Sequence, residues 1–159
     1  MAGQHAPREH LDPRALTLWR VTEAINGVSL VLIAGGITAI LRWQDVGLWW
    51  SLLPLIVAIP VAVALALLVP GLRYRQWRYE IGDQEVDLQH GIWTITRTLI
   101  PMARIQHVDT ERGPLQQRLG LASVVLYTAA GASEIPALSV DIAAHVRDRI
   151  AALANVGEV

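Results

Sequence analysis

Two long stretches without a formal charge decide what this chain can fold into. Residues 24–41 and 47–69 contain no Asp, Glu, Lys, Arg or His. As helices, at about 1.5 Å rise per residue, they reach ~27 and ~34 Å, against a bilayer hydrocarbon core of ~30 Å. A chain of 159 residues cannot wrap two such helices in protein and still fold a domain. They therefore read as two transmembrane helices forming a hairpin. A cleaved signal peptide does not fit the first stretch, because Glu9, Asp12 and Glu23 precede it and a second span follows at once. The hydrophobic share of 53% and mean hydropathy of +0.38 agree with spans plus one small domain.

Arginines orient the hairpin. Arg8, Arg14 and Arg20 precede the first span, Arg42 with Asp45 lies between the spans, and Arg73, Arg75 and Arg78 follow the second. That distribution predicts a multi-pass protein of the cell membrane with both termini in the cytoplasm. Trp19 and Trp77 are expected at the inner boundary, and Trp43, Trp49 and Trp50 at the outer one, since indole rings prefer the headgroup level. The division expected is a cytoplasmic tail at 1–22, the hairpin at 23–71 and a cytoplasmic domain at 72–159.

No ionisable group lies inside the spans, so a proton relay or haem site has nothing to work with. Ala58, Ala62 and Ala66 on the second helix, and Gly35 and Ala39 on the first, repeat at spacing four and suggest a close-packed seam. Pro54 and Pro60 are expected to kink the second helix, and Pro70-Gly71 to close it.

Past the spans the pattern changes to short alternating runs. Strands are expected at 77–81, 85–90, 94–100, 105–111, 122–128 and 133–138, punctuated by Gly82-Asp83, Gly91, Pro101 and Gly113-Pro114. Residues 115–119 read as one helical turn, with Leu115, Leu119 and Leu121 directed at the core. Ser139 is a good N-cap for a closing helix with Ile142, Val146, Ile150 and Leu153 on one face.

Composition removes several chemistries. The chain has no Cys, hence no disulfide, thiol nucleophile or Cys-ligated metal. All 13 basic residues are Arg, so neither a P-loop lysine nor a Schiff-base amine exists. The net charge of −1 gives no field for nucleic acid. Asp109 and Glu111 share a strand face, but nearby Arg104 and Arg112 make a solvated edge the simpler reading. His90 and His107 match no metal-ligand spacing. Arg73, Tyr74, Arg75, Trp77, Arg78 and Tyr79 interleave charge and rings beside the second span. They suit a stop-transfer signal and interfacial anchor, and also docking on anionic lipid.

Three segments carry a family resemblance: Arg104-Ile105-Gln106-His107-Val108; Gly113-Pro114-Leu115-Gln116-Gln117-Arg118-Leu119-Gly120-Leu121-Ala122-Ser123-Val124; and Thr128-Ala129-Ala130-Gly131. They resemble bacterial pleckstrin-homology (PH) membrane proteins of the YdbS-like group, with Ala130 where that group suggests Gly. The resemblance implies a PH-like α+β domain after the hairpin: a bent antiparallel sheet or partial barrel with a C-terminal helix. Arg104, Gln106, Gly113, Pro114, Leu115, Arg118, Gly120 and Leu121 are then structural positions of the motif. It also implies a non-enzymatic protein, often paired with a larger membrane protein that carries related domains.

Together these readings lead to a membrane-anchored interaction module, a subunit or scaffold of a membrane protein complex. Its expected partner is another membrane protein or a second copy, with lipid around it and no cofactor, metal or nucleic acid. An anionic-headgroup sensor is the alternative, and an enzyme the distant one.

Overall fold

The computed structural model describes Pro7 and residues 9–156, the last two by their backbone alone. Arg8, one of the arginines used to orient the hairpin, and Gly157 lie outside the described residues. The chain divides into two compact units. One holds the spans, Trp19–Leu72; the other combines the segment up to Leu18 with the chain from Arg73 onward.

The span unit is built from helices α1 (Arg14–Trp43) and α2 (Leu48–Gln76), both long and apolar enough to cross a membrane. Their outward side chains are large and apolar, among them Leu32, Ile33, Leu67 and Leu68, and Trp43, Trp49 and Trp50 are exposed near the connecting turn. The seam between the helices is made of small residues. Ser51, Ala58 and Ala62 are buried on α2; Ala34 and Thr38 are buried on α1. A Cβ added at Gly27 would meet the Ala62 Cβ at 3.2 Å, so the backbones approach closely there. The expected α1 pair is corrected: a Cβ at Gly35 would meet nothing within 4 Å, and Ala39 is exposed. Gly27, Ala34 and Thr38 line up because these positions step by seven and four, close to the 3.5-residue repeat that keeps a helix stripe facing its neighbour.

α2 does not end at Pro70-Gly71. Pro70 is buried inside the helix, Gly71 keeps a right-handed φ, and the helix continues to Gln76, with Trp77 N–H donating to the Arg73 carbonyl at 3.1 Å. A proline removes one helical donor; it stops a helix only if the next residues leave helical geometry.

The second unit is a PH-like domain. One sheet has the order β1-β2-β3-β4, with β1 Glu9–His10, β2 Arg78–Ile81, β3 Glu85–His90 and β4 Thr96–Pro101. A 3-10 turn at Met102–Arg104 leads to the other sheet, β5-β6-β7: Ile105–Glu111, Leu121–Thr128 and Gly131–Ser139. Helix α3 (Pro114–Leu119) connects β5 to β6, and α4 (Val140–Val156) closes the chain. All pairings are antiparallel. Leu121, Val124, Leu126, Ile135, Leu138 and Ile150 are fully buried and form the centre of the core. On α4 the buried stripe is Ala143, Val146 and Ile150, whereas Ile142, expected on it, is exposed.

β1 falls within the expected tail. Glu9 pairs with Tyr79 and His10 with Arg78, while Pro7, Leu11 and Ala15 are buried. The residues before the first span thus supply an edge strand to a sheet whose other strands follow the second span. Asp12 caps α1: its Oδ1 accepts the Arg14 N–H at 2.9 Å, with Pro13 just after the cap.

Candidate functional site

The long motif folds into a polar knot around α3. Gly113 N–H donates to the Gln116 side-chain oxygen at 2.9 Å, and the Gln116 amide donates to Ser123 Oγ at 2.9 Å. Arg112 Nε donates to the Leu121 carbonyl, and the Gln117 amide to the Arg112 carbonyl, both at 3.2 Å. Gly120 ends the helix in the left-handed region, at φ 66°. Arg14 Nη1 donates to the Leu119 carbonyl at 3.1 Å, tying the start of α1 to this knot. Gly113, Pro114 and Arg118 are exposed, and Leu121 is fully buried. Leu115 and Leu119 are only half-buried, which corrects their expected core placement: α3 lies on the domain surface and contributes no fully buried residue.

The juxtamembrane group does not act as one surface. Arg73 and Arg75 are exposed in the last turn of α2. Tyr74 is half-buried, and its hydroxyl donates to the Leu11 carbonyl at 3.2 Å. Trp77 is corrected from interfacial anchor to core residue: it is 6% exposed, with its ring stacked on His90 at a centroid distance of 6.0 Å. Trp19 is buried as well. Arg78 is half-buried in β2, and Tyr79 is buried. Burial pushes the Tyr79 phenol far above its ordinary pKa, helped by its hydrogen bond to the Glu9 carboxylate.

A cleft of about 630 Å³ lies between the start of β5, the β6–β7 turn and the last turns of α4. Methyl groups of Ala103, Ala129, Ala130, Ala151 and Ala154 form much of its wall. Among the described residues its polar side chains are Arg104, Gln106, His107 and Thr128, with no carboxylate. Arg104 is exposed and has no hydrogen bond or ion pair among the described residues; it also borders a shallower recess of about 290 Å³ along β4 and β7. Thr128 Oγ1 accepts the Ala130 N–H at 3.2 Å and donates to the Gly131 carbonyl at 2.9 Å, which fixes the turn. His107 stacks on Tyr127 at 4.3 Å and lies 3.8 Å from Asp109. The Tyr127 hydroxyl donates to Glu111 at 3.3 Å, and burial together with the Glu111 charge raises its pKa. Asp109 and Glu111 are thus members of an exposed polar edge, and His90 sits apart against Trp77. Among the described residues no group of three or more His, Asp or Glu could hold a metal ion.

The register places the cleft at one end of the domain. Arg78, where the chain leaves α2, pairs with Gln89 near the end of β3. Ala103 and Arg104 follow Pro101, which pairs with Glu85 at the start of β3, and Met102 N–H donates to the Gln84 carbonyl at 2.9 Å. At about 3.3 Å per strand residue, the two ends of β3 are ~17 Å apart. Arg104 and Gln106, motif positions in the sequence, therefore face a recess remote from Arg78. Sequence reasoning missed Ala103, Ala151 and Ala154 as its walls, because alanines on a strand edge and a helix carry no pattern.

Comparison with known proteins places these features in a family. The bacterial PH domain family matches residues 15–154. The UPF0699 transmembrane protein YdbS of Bacillus subtilis is 35% identical over 150 residues, 94% of each chain. The UPF0699 transmembrane protein YdbT of the same organism is 28% identical over 83 residues, half of this chain but only 17% of that protein. No solved structure gives a significant match.

Proposed function

This chain belongs to the bacterial PH domain family, and from that premise we propose that it is a membrane-anchored, non-enzymatic interaction module. It serves as a subunit or scaffold of a membrane protein complex, with both termini and the domain in the cytoplasm. The observation that carries the reading is the position of the cleft. A recess at the end of β3 remote from Arg78, where the chain enters the sheet, is poorly sited for a lipid headgroup. It is well sited for a segment of another protein. Arg104, Gln106 and His107 offer donors to a carboxylate or to backbone carbonyls, and the alanine wall accepts an apolar side chain. The partner that fits is a second membrane protein with a related domain. A much larger transmembrane relative carrying a matching 83-residue segment supports that choice.

Arg73 and Arg75, exposed in the last turn of α2, favour a second reading as an anionic-headgroup sensor. Crosslinking in native membranes at native expression separates the two. A discrete heteromeric product, lost on Ala130→Arg, supports the module. Monomer alone with several linker chemistries shifts the weight to lipid. A reporter fused after Val159 tests the orientation, and a signal from outside the cytoplasm overturns it.

A further inference from the structure

Among the described residues the most exposed large hydrophobic side chain of the domain is Trp93, 97% accessible at the tip of the β3–β4 turn. Ile95, two residues on, is 59% exposed, and the turn sequence Gly91-Ile92-Trp93-Thr94-Ile95 holds no charge. Water is a costly surrounding for so much apolar surface on one turn. The turn is also built rather than loose. Gly91 adopts φ 145°, and a Cβ there would lie 1.9 Å from the Thr94 carbonyl oxygen, so the backbone doubles back tightly and the ring at Trp93 stands outside it. Behind the tip, Arg97 Nε donates to both Asp87 carboxylate oxygens at 3.0 and 2.9 Å, which braces β4 against β3 and occupies the nearest acid.

The register fixes which end of the domain this tip occupies. His90 ends β3, and its neighbour Gln89 pairs with Arg78. Trp77, one residue beyond the last residue of α2, stacks on His90. β1 pairs His10 with Arg78, so the chain also departs toward α1 from this end. The apolar tip thus sits at the end of the sheet where the chain enters β2 from α2 and leaves β1 toward α1, with Trp77 alone between Gln76 and Arg78. We infer that the Ile92–Trp93–Ile95 tip is a third membrane contact, inserted into the interfacial layer of the bilayer that the hairpin spans. The occupant is lipid: an indole with an apolar body and one N–H donor suits the headgroup boundary, and arginines flank the site at 73, 75 and 78.

The chain has no cysteine, so Thr94→Cys gives a single labelling position beside an intact Trp93. The full chain is reconstituted in phosphatidylcholine–phosphatidylglycerol vesicles with an environment-sensitive fluorophore at that site. The expected result is a blue-shifted emission, quenched by shallow spin-labelled lipid and shielded from an aqueous quencher. Both effects should be lost in a Trp93→Ser, Ile95→Ser background. A label at Asp83→Cys, exposed in the β2–β3 turn at the opposite end of the sheet, should stay fully open to water. In unlabelled protein, Trp93→Phe should remove part of the tryptophan quenching caused by brominated lipid. A Thr94 label as open to water as the Asp83 label overturns the inference. So does a label shielded in native membranes but open in vesicles of lipid alone, which would assign the tip to a protein partner. An unchanged response to brominated lipid in Trp93→Phe counts equally against it.

Discussion

Ala62 meets Gly27 across the hairpin with little space for another carbon: a Cβ at Gly27 would lie 3.2 Å from the Ala62 Cβ. Lipid offers no hydrophobic drive for helix pairing, so contact of this kind has to hold the two spans together. Ala62→Leu should therefore weaken the hairpin itself by about 1–3 kcal/mol, the usual cost of overpacking a close contact. Unfolding in mixed detergent and dodecyl sulfate measures it. Gly35→Leu, at a position with open space, should leave the same curve unchanged.

Leu121 and Leu119 stand two residues apart in the long motif but differ in burial, the first complete and the second partial. Leu121→Ala should cost about 2–5 kcal/mol, as removal of a buried leucine side chain does. Leu119→Ala should cost distinctly less. Thermal melting of the purified variants gives the order, and equal losses would contradict the half-exposed position of α3.

Gly120 caps α3 with φ 66°. A side chain there brings its Cβ to 3.2 Å from Arg14 Nη1, which can move, so the main penalty is conformational. Gly120→Ala should destabilise the domain by about 1–2 kcal/mol, the left-handed penalty for a residue with a Cβ. Arg14→Ala in that background should add little beyond its own effect, as chemical denaturation of the four proteins of the cycle would reveal.

Asp12 gives the domain a pH-dependent tie to α1. Its hydrogen bond from the Arg14 side chain holds the carboxyl below its ordinary value of 3.8, with partial burial opposing. A carboxyl lowered in the folded state contributes stability above its unfolded pKa and loses it as pH falls through the folded one. The acid limb attributable to Asp12 thus lies below about pH 4. Asp12→Asn keeps an N-cap acceptor but should flatten that limb. Asp12→Ala should in addition cost about 0.5–2 kcal/mol at neutral pH through loss of the cap. Melting temperature against pH for the three proteins separates charge from capping.

The spans were legible in the sequence because absence of charge over a bilayer's width is a signal that needs no partner. The strands were legible from apolar–polar alternation in β3, and from a run of β-branched and aromatic residues in β6. β1 was not, since two residues are too few to show a period. Trp77 between Arg75 and Arg78 has the composition of an interfacial anchor, and only the stacking on His90 reveals its burial. Small residues mark a possible helix seam at 35 and 39 as well as at 27 and 34; the face that α2 meets chooses among them. Arg104 and Gln106 were visible as motif positions, yet the cleft they border is assembled from three separate stretches of chain, and no local pattern encodes such an encounter.

Glu9 and Tyr79 are made at very different moments. When the ribosome has released Glu9, neither β2 nor any other strand of its sheet exists, and the whole hairpin must be synthesised before Tyr79 emerges to meet it. A nascent chain that stalls with one span across the bilayer leaves the two strands on opposite sides of it, and the sheet lacks its edge. Completion of the domain is thereby conditional on insertion of both spans, and a copy that fails at this step leaves the β2 edge unpaired.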